Sequence, residues 1–173
     1  MQSTRNPRLI FEPLRTDHLD ALALELLRPE VLEYIEDDLP SLEDFRLGLS
    51  RAIAGPPPSR SDESWLNFLV RHAGTNQMLG RLEATVHDGI AEVAFLFGAR
   101  HWGKGYATEG LAWLQSEVRH RWGVSGFWAT TVPANLRCQA LLVRSGYVEV
   151  TAPFPTLLSY GPGDLVFSSE MRT

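Results

Sequence analysis

A chain of 173 residues, 44% hydrophobic, has enough apolar mass for one compact core and too little for two ordinary domains, so residues 1–173 are expected to form a single domain. A formal net charge of −5 and a pI near 5.5 argue against the basic face that nucleic-acid binding needs, and no apolar run approaches the ~18–20 residues of a membrane span. The single cysteine excludes an internal disulfide and fits a cytoplasmic setting, and Met1 to Pro7 lacks the apolar stretch of a secretory signal.

In chain order, Leu9 to Leu14 predicts a first strand, and Thr16 is placed to cap a helix carrying Leu19, Leu22, Leu26 and Leu27. A second helical region runs from Pro29 to Ala54, broken near Pro40, with Ser41 capping its second half. Pro56 to Pro58 opens an exposed loop. Trp65 to Arg71, Met78 to Val86 and Ile90 to Phe97 predict an antiparallel meander, with turns at Gly74–Asn76 and His87–Gly89. Ala107, Leu111, Leu114, Val118 and Trp122 share one face of a helix over Tyr106 to Trp122. A strand from Gly126 to Val132, a helix from Leu136 to Arg144, and strands at Tyr147–Thr151 and Leu165–Met171 close the chain. The strand–helix–strand passage from Ile90 to Val132 is the crossover that parallel neighbours require.

Between that meander and its following helix lies Gly98-Ala-Arg-His-Trp-Gly-Lys-Gly-Tyr-Ala-Thr-Glu109. A glycine turn that opens a helix leaves backbone N–H groups without partners at the positive end of the helix dipole, which suits phosphate oxygens. Arg100, His101 and Lys104 add charge there. Three readings compete. A nucleotide P-loop is poorly matched, because Gly105 stands where a magnesium-binding hydroxyl is needed. A plain strand-to-helix turn is the bland alternative. The third is an acyl-CoA loop, Arg100-x-x-Gly103-x-Gly105.

The third reading has support elsewhere in the chain. Trp102-Gly-Lys-Gly-Tyr-Ala-Thr-Glu109 resembles the coenzyme A loop of the GNAT N-acetyltransferase superfamily, nearest the ribosomal-protein N-terminal acetyltransferase branch. Asn135-x-x-Cys138-x-x-x-Leu142-x-x-x-Gly146-Tyr147 resembles that branch's Asn-x-x-Ser-x-x-x-Leu-x-x-x-Gly-Phe signature, and Met78-Leu79-Gly80 resembles the start of its third strand. The resemblance implies an α+β fold, with a mixed, mostly antiparallel sheet of six to seven strands and about four helices, splayed between strands four and five. It implies acetyl-CoA as cosubstrate and direct attack of a primary amine on the thioester. Arg100, His101, Trp102, Gly103, Lys104, Gly105, Tyr106 and Ala107 would then hold the pyrophosphate. Phe95, Leu96, Phe97 and Asn135 would hold the pantetheine, although Asn135 also reads as a helix cap.

Such chemistry needs a base for the amine and a proton donor for the departing thiolate. The resemblance puts Cys138 where relatives carry Ser and Leu142 where other members carry Tyr, so Cys138 is the candidate donor. Its place in the first turn of a helix would lower a thiol pKa; the bland alternative is a small buried residue. Glu83 and Glu92 are the candidate bases. Glu92 projects from a central strand, opposite Val93, Phe95 and Phe97, where desolvation would raise its pKa. A solvated sheet face is the plain alternative for both. His87 and His101 read as a turn and a loop residue, and no spacing suggests a metal.

The resemblance implies an acceptor pocket built largely by the helices between the first two strands, here Thr16 to Ala54, which carry Glu30, Glu33, Glu36, Asp37, Asp38, Glu43 and Asp44, either an acidic rim for a cationic amine or a solvated face. Tyr34, Phe45 and Trp65 are candidates to line it. The acceptor would be a protein N-terminal α-amine or a small amine. The alternative class is a non-catalytic acyl-CoA-binding or regulatory domain. Neither nucleic acid nor membrane is expected as a partner; the strand edge at Val148 to Met171 could supply a homodimer contact, and the sequence does not decide it.

Overall fold

The computed structural model describes residues 7–170, so the segment preceding Pro7 and the end of the last predicted strand at Met171 lie outside the described residues. Seven strands form one sheet in the order β1-β2-β3-β4-β5-β7-β6. They are β1 (Leu9–Pro13), β2 (Ser64–His72), β3 (Met78–His87), β4 (Ile90–Phe97), β5 (Gly126–Thr131), β6 (Val148–Val150) and β7 (Leu165–Glu170). All neighbours are antiparallel except β4 and β5. Between β3 and β4, Asp88 (φ +48°) and Gly89 (φ +76°) make a two-residue hairpin turn with both central residues left-handed, the form that matches strand twist.

Five α-helices cover the sheet: α1 (Leu19–Leu26), α2 (Pro29–Leu32), α3 (Leu42–Ala54), α4 (Tyr106–Trp122) and α5 (Leu136–Arg144). Strand alternation divides the core between two faces. Val70, Leu82, Ala84, Phe97, Phe127 and Ala129 pack with Leu111, Leu114 and Val118 of α4 and Leu141 and Leu142 of α5. On the other face Leu69 and Leu96 meet Leu22 and Leu26 of α1 and Leu49 of α3. A smaller cluster of Ile90, Trp128, Leu157 and Val166 lies under the segment that joins β6 to β7.

Several expectations shift in detail. Ser41 caps α3 by accepting from the Asp44 N–H at 3.0 Å, as predicted, but Thr16 caps nothing: Thr16–His18 is a 3-10 turn in which the Arg15 N–H donates to His18 Nδ1 at 3.0 Å. The first strand ends at Pro13. Trp122 sits at the exposed end of α4, because Gly123 (φ +58°) turns the chain away there. The break around Pro40 is wider than one residue, from Glu33 to Ser41.

The feature that makes room for a ligand is the β4–β5 seam. It consists of two register pairs, Ala91 with Phe127 and Glu92 with Trp128. Beyond them β4 stays paired with β3 as far as Phe97, while β5 stays paired with β7 as far as Thr131. Each strand follows its outer neighbour, and a gap opens.

Candidate active site

A cavity of about 800 Å³ occupies this gap, bounded by β4, β5, the glycine turn, α5, the end of α2 and the β6–β7 segment. The Gly98 N–H donates to the Leu79 carbonyl at 2.9 Å. Amides alternate sides along a strand, so those of Leu96 and Ala94 face β3 and those of Val93, Phe95 and Phe97 face the β5 side. The Phe97 carbonyl already accepts from Trp102 Nε1 at 3.0 Å. The Val93 N–H belongs to the seam, where it meets the Trp128 carbonyl, so the N–H groups of Phe95 and Phe97 are the open ones on this edge, whereas Leu96 contributes only cavity wall.

At the cavity's end the chain makes its glycine turn. Gly103 (φ +73°) and Gly105 (φ +81°) adopt left-handed conformations that other residues resist. The Glu109 N–H is taken by the Gly105 carbonyl at 3.1 Å, and the preceding N–H groups of Tyr106, Ala107 and Thr108 have no acceptor within α4. All three residues line the cavity. Arg8 braces the turn from outside, donating to the Lys104 carbonyl at 3.1 Å and to Glu109 Oε1 at 2.7 Å.

The charges expected at this turn are differently engaged. Arg100 points away from the cavity into an ion pair with buried Glu25 of α1, and His101 Nε2 lies 3.0 Å from the same carboxylate. Burial, helped by Arg100 and Lys104, holds His101 below its usual pKa against the pull of Glu25, so the ring is neutral near pH 7. Lys104 is exposed and does not line the cavity. What faces an anion here is a set of main-chain amides. The cavity's side-chain cations come from α5: Arg137, whose guanidinium lies 3.3 Å from the Trp102 ring centroid, and Arg144.

Asn135 and Cys138 both line the cavity. The Asn135 side-chain oxygen accepts from the Cys138 N–H at 3.1 Å, which is the capping role, and its amide nitrogen remains available. The Cys138 thiol departs from expectation. Burial pushes its pKa up, outweighing a hydrogen bond from Thr131 and the charge of Arg137, so it stays a neutral thiol. Leu142 is fully buried in the core.

Neither candidate base lines the cavity. Glu83 lies on the α1–α3 face of the sheet, half-exposed, and is ion-paired with Arg81, whose Nη2 also donates to Asn67 Oδ1 at 2.9 Å. Glu92 is buried, with every lone-pair direction taken. It accepts from His87 Nε2 at 2.5 Å, the Leu158 N–H at 2.7 Å, the Ser159 N–H at 2.9 Å and Ser159 Oγ at 2.6 Å. Desolvation pushes its pKa up, but these hydrogen bonds together outweigh it and hold the carboxyl below its ordinary range. That reverses the direction expected from burial alone. His87, far from being a simple turn residue, is buried with Asp88 at its Nδ1 (2.9 Å) and Glu92 at its Nε2. Both ring nitrogens face carboxylates, so the charged ring is favoured and its pKa is raised despite burial.

The sequence reading missed Ser159 and Asp164, which line the cavity from the β6–β7 segment. Only the gap, which brings this late segment beside β4 and β5, marks them out. Of the aromatic candidates, Tyr34 lines the cavity, Phe45 packs against the α1–α3 core, and Trp65 donates to Glu63 at 2.7 Å. Among the described residues no His, Cys, Asp and Glu side chains gather as a metal-binding group, and no helix is long and apolar enough to cross a membrane.

Comparison with known proteins agrees with this architecture. None of the curated proteins matches the sequence. Among solved structures, a GNAT-family acetyltransferase from Bacillus anthracis superposes with a TM-score of 0.75 at 18% identity, over 96% of both chains. RimL, the ribosomal L7/L12 alpha-N-protein acetyltransferase solved with coenzyme A, gives 0.75 at 16% identity over 96% of both chains. The microcin C7 self-immunity acetyltransferase MccE, solved with acetyl-CoA and AMP, gives 0.73 at 14% identity, over 96% of this chain and 94% of that one. At such identities the likeness is one of fold. The family described as acetyltransferase (GNAT) domain matches residues 8–148, most of the chain, and the protein belongs to that family.

Proposed function

We propose that the protein is an N-acetyltransferase that moves an acetyl group from acetyl-CoA to a primary amine by direct attack, with residues 1–173 as one catalytic domain. The observation that carries this reading is the β4–β5 gap, which opens onto the unpaired N–H groups of Tyr106, Ala107 and Thr108. These amides and the left-handed Gly103 and Gly105 suit a pyrophosphate. The open amides of Phe95 and Phe97, with Asn135, suit the pantetheine arm, which would add to β4 like a strand. RimL and MccE, solved with coenzyme A and acetyl-CoA, support the same cosubstrate here.

In this reading Cys138 stands beside the thioester sulfur as a neutral thiol, a hydrogen-bond donor to the departing thiolate. Glu92, saturated with hydrogen bonds, is a structural anchor. Water in the cavity would carry the amine's proton away, and no side chain is assigned as base. The acceptor is a protein N-terminal α-amine or a small amine, and the RimL likeness favours the former. A cytoplasmic location follows from the cosubstrate.

The test is release of free thiol from acetyl-CoA against a panel of N-terminal peptides, polyamines and amino acids. Amine-dependent release is expected. Tight acetyl-CoA binding with no amine that accelerates release would instead favour a regulatory acyl-CoA-binding domain. Absence of calorimetric binding by acetyl-CoA or CoA would overturn both.

A further inference from the structure

Besides the glycine turn, the two strands and α5, two further walls line the cavity. The first is the β6–β7 segment, which contributes Ser159 and Asp164. Among the described residues Asp164 is the one carboxylate that lines the cavity. Its Oδ2 accepts from the Gly161 N–H at 2.8 Å, while its own N–H donates to the Gly161 carbonyl at 3.1 Å. Oδ1 has no hydrogen-bond partner among the described residues.

The second wall is formed by Val31, Tyr34 and Ile35 at and just after α2. Around it Glu30, Glu33, Glu36, Asp37 and Asp38 are exposed, and none forms an ion pair among the described residues. The cavity's two arginines belong to α5, and Arg137 lies over the Trp102 ring and near enough to Tyr34 for its charge to act on that hydroxyl. Among the described residues Asp164 is thus the cavity's one anionic side chain, facing a lining whose side-chain cations are the two arginines of α5.

The first wall is also held rigidly. Glu92 binds Leu158 and Ser159 through two backbone N–H groups and one hydroxyl, and His87 holds Glu92 from behind. Thr130 Oγ1 donates to the Ser159 carbonyl at 3.2 Å and lies 3.0 Å from Ser159 Oγ. Side chains from β3, β4 and β5 therefore fix a segment that has little structure of its own.

We propose that Asp164 binds the acceptor's ammonium group, that Glu92 is the positioning residue for the wall carrying Asp164, and that the acceptors are consequently primary amines that are cationic at neutral pH. This inference rests on the acetyl-transfer reading for its geometry, but amine binding tests it without turnover.

The deciding variant is Asp164→Asn, which keeps an oxygen for the Gly161 N–H and removes only the charge. Its KM for alkylamine acceptors is expected to rise at least ~10-fold with the acetyl-CoA dissociation constant within about twofold of wild type, Asp164→Glu restoring part of the loss. Glu92→Gln and the milder Ser159→Ala are expected to raise the amine KM in the same direction, again without weakening acetyl-CoA. Wild-type KM should rise with salt, because the attraction is partly through solvent. Calorimetric binding of an alkylamine to the CoA-loaded protein reads the same contact directly. An Asp164→Asn variant with unchanged amine KM and affinity would sink the proposal, as would equal use of arylamines that are neutral at pH 7.5. A wild type that binds alkylamine through Asp164 yet releases no thiol would refute acetyl transfer and leave this site standing.

Discussion

Cys138 illustrates how two effects on one group are ranked. Its place in the first turn of α5 favours the thiolate, and its burial favours the thiol. The helix is nine residues long and its end is already capped by Asn135, so desolvation wins. A neutral thiol beside the departing sulfur contributes a hydrogen bond and no charge. Cys138→Ser is therefore expected to keep kcat within a few-fold, and Cys138→Ala to lower it about 10-fold, below the ~10²–10⁴-fold of full general-acid catalysis because only a hydrogen bond is lost; steady-state thiol release measures both. At Gly105 the constraint is backbone shape. An added Cβ meets only Arg8 Nη2 at 3.4 Å, but φ +81° is strained for any L side chain. Gly105→Val is expected to weaken acetyl-CoA binding by more than 10-fold in calorimetry, with the fold retained by circular dichroism.

At the scale of elements, the chain revealed what is local and concealed what is distant. The meander, the crossover helix and Ser41 as a cap were readable because periodicity and turn chemistry act over a few residues. The glycine turn before α4 was readable for the same reason, since its glycines and the helix they open are contiguous. Glu92 was misread because its partners Leu158 and Ser159 lie 66 and 67 residues away, and no spacing rule reaches that far. Asp164 was overlooked because a carboxylate before a closing strand looks ordinary until the sheet places it on a cavity. Arg100 looked like a phosphate ligand because its partner Glu25 sits 75 residues earlier.

The clamp of His87, Asp88 and Glu92 has a definite pH signature. His87 has a raised folded pKa, so its contribution is complete below ~6.5 and is lost as pH rises through the folded value. Glu92 has a depressed one, so its contribution is present above ~4.3 and is lost as pH falls through the folded value. The clamp is strongest between those limits. In wild type the thermal midpoint should decline on the alkaline side of neutrality. In His87→Gln, which keeps a donor and loses the titration, that decline should flatten. A tenfold change in proton affinity on folding is worth ~1.4 kcal/mol, and a chain of this size moves its midpoint by about 2–4 °C per kcal/mol. Differential scanning calorimetry across pH 5–9 checks the expectation.

At the scale of the whole molecule, the likeness to known acetyltransferases holds over nearly all of the chain at 14–18% identity in the three structures compared. Such divergence is tolerated because the fold depends on apolar faces and a few conformationally special positions. Leu22, Leu82, Leu114 and Leu142 are completely buried, and any well-packed hydrophobic set would serve there. What must persist is the gap and the turn at its end. The proposed acceptor end is assembled from α2 and the β6–β7 segment, stretches far apart in the chain, which is why it was faint in the sequence.

The two-rung seam between β4 and β5 has one more consequence. Hydrogen bonding divides the sheet into two blades, β1 to β4 and β5 to β6, with α4 as the chain's bridge between them. A molecule lying along the open edge of β4 would act as a missing rung. Amide protons of Phe95 and Phe97 should then exchange quickly with deuterium in the empty protein and slow by an order of magnitude or more when CoA is added, so that the ligand completes the architecture that receives it.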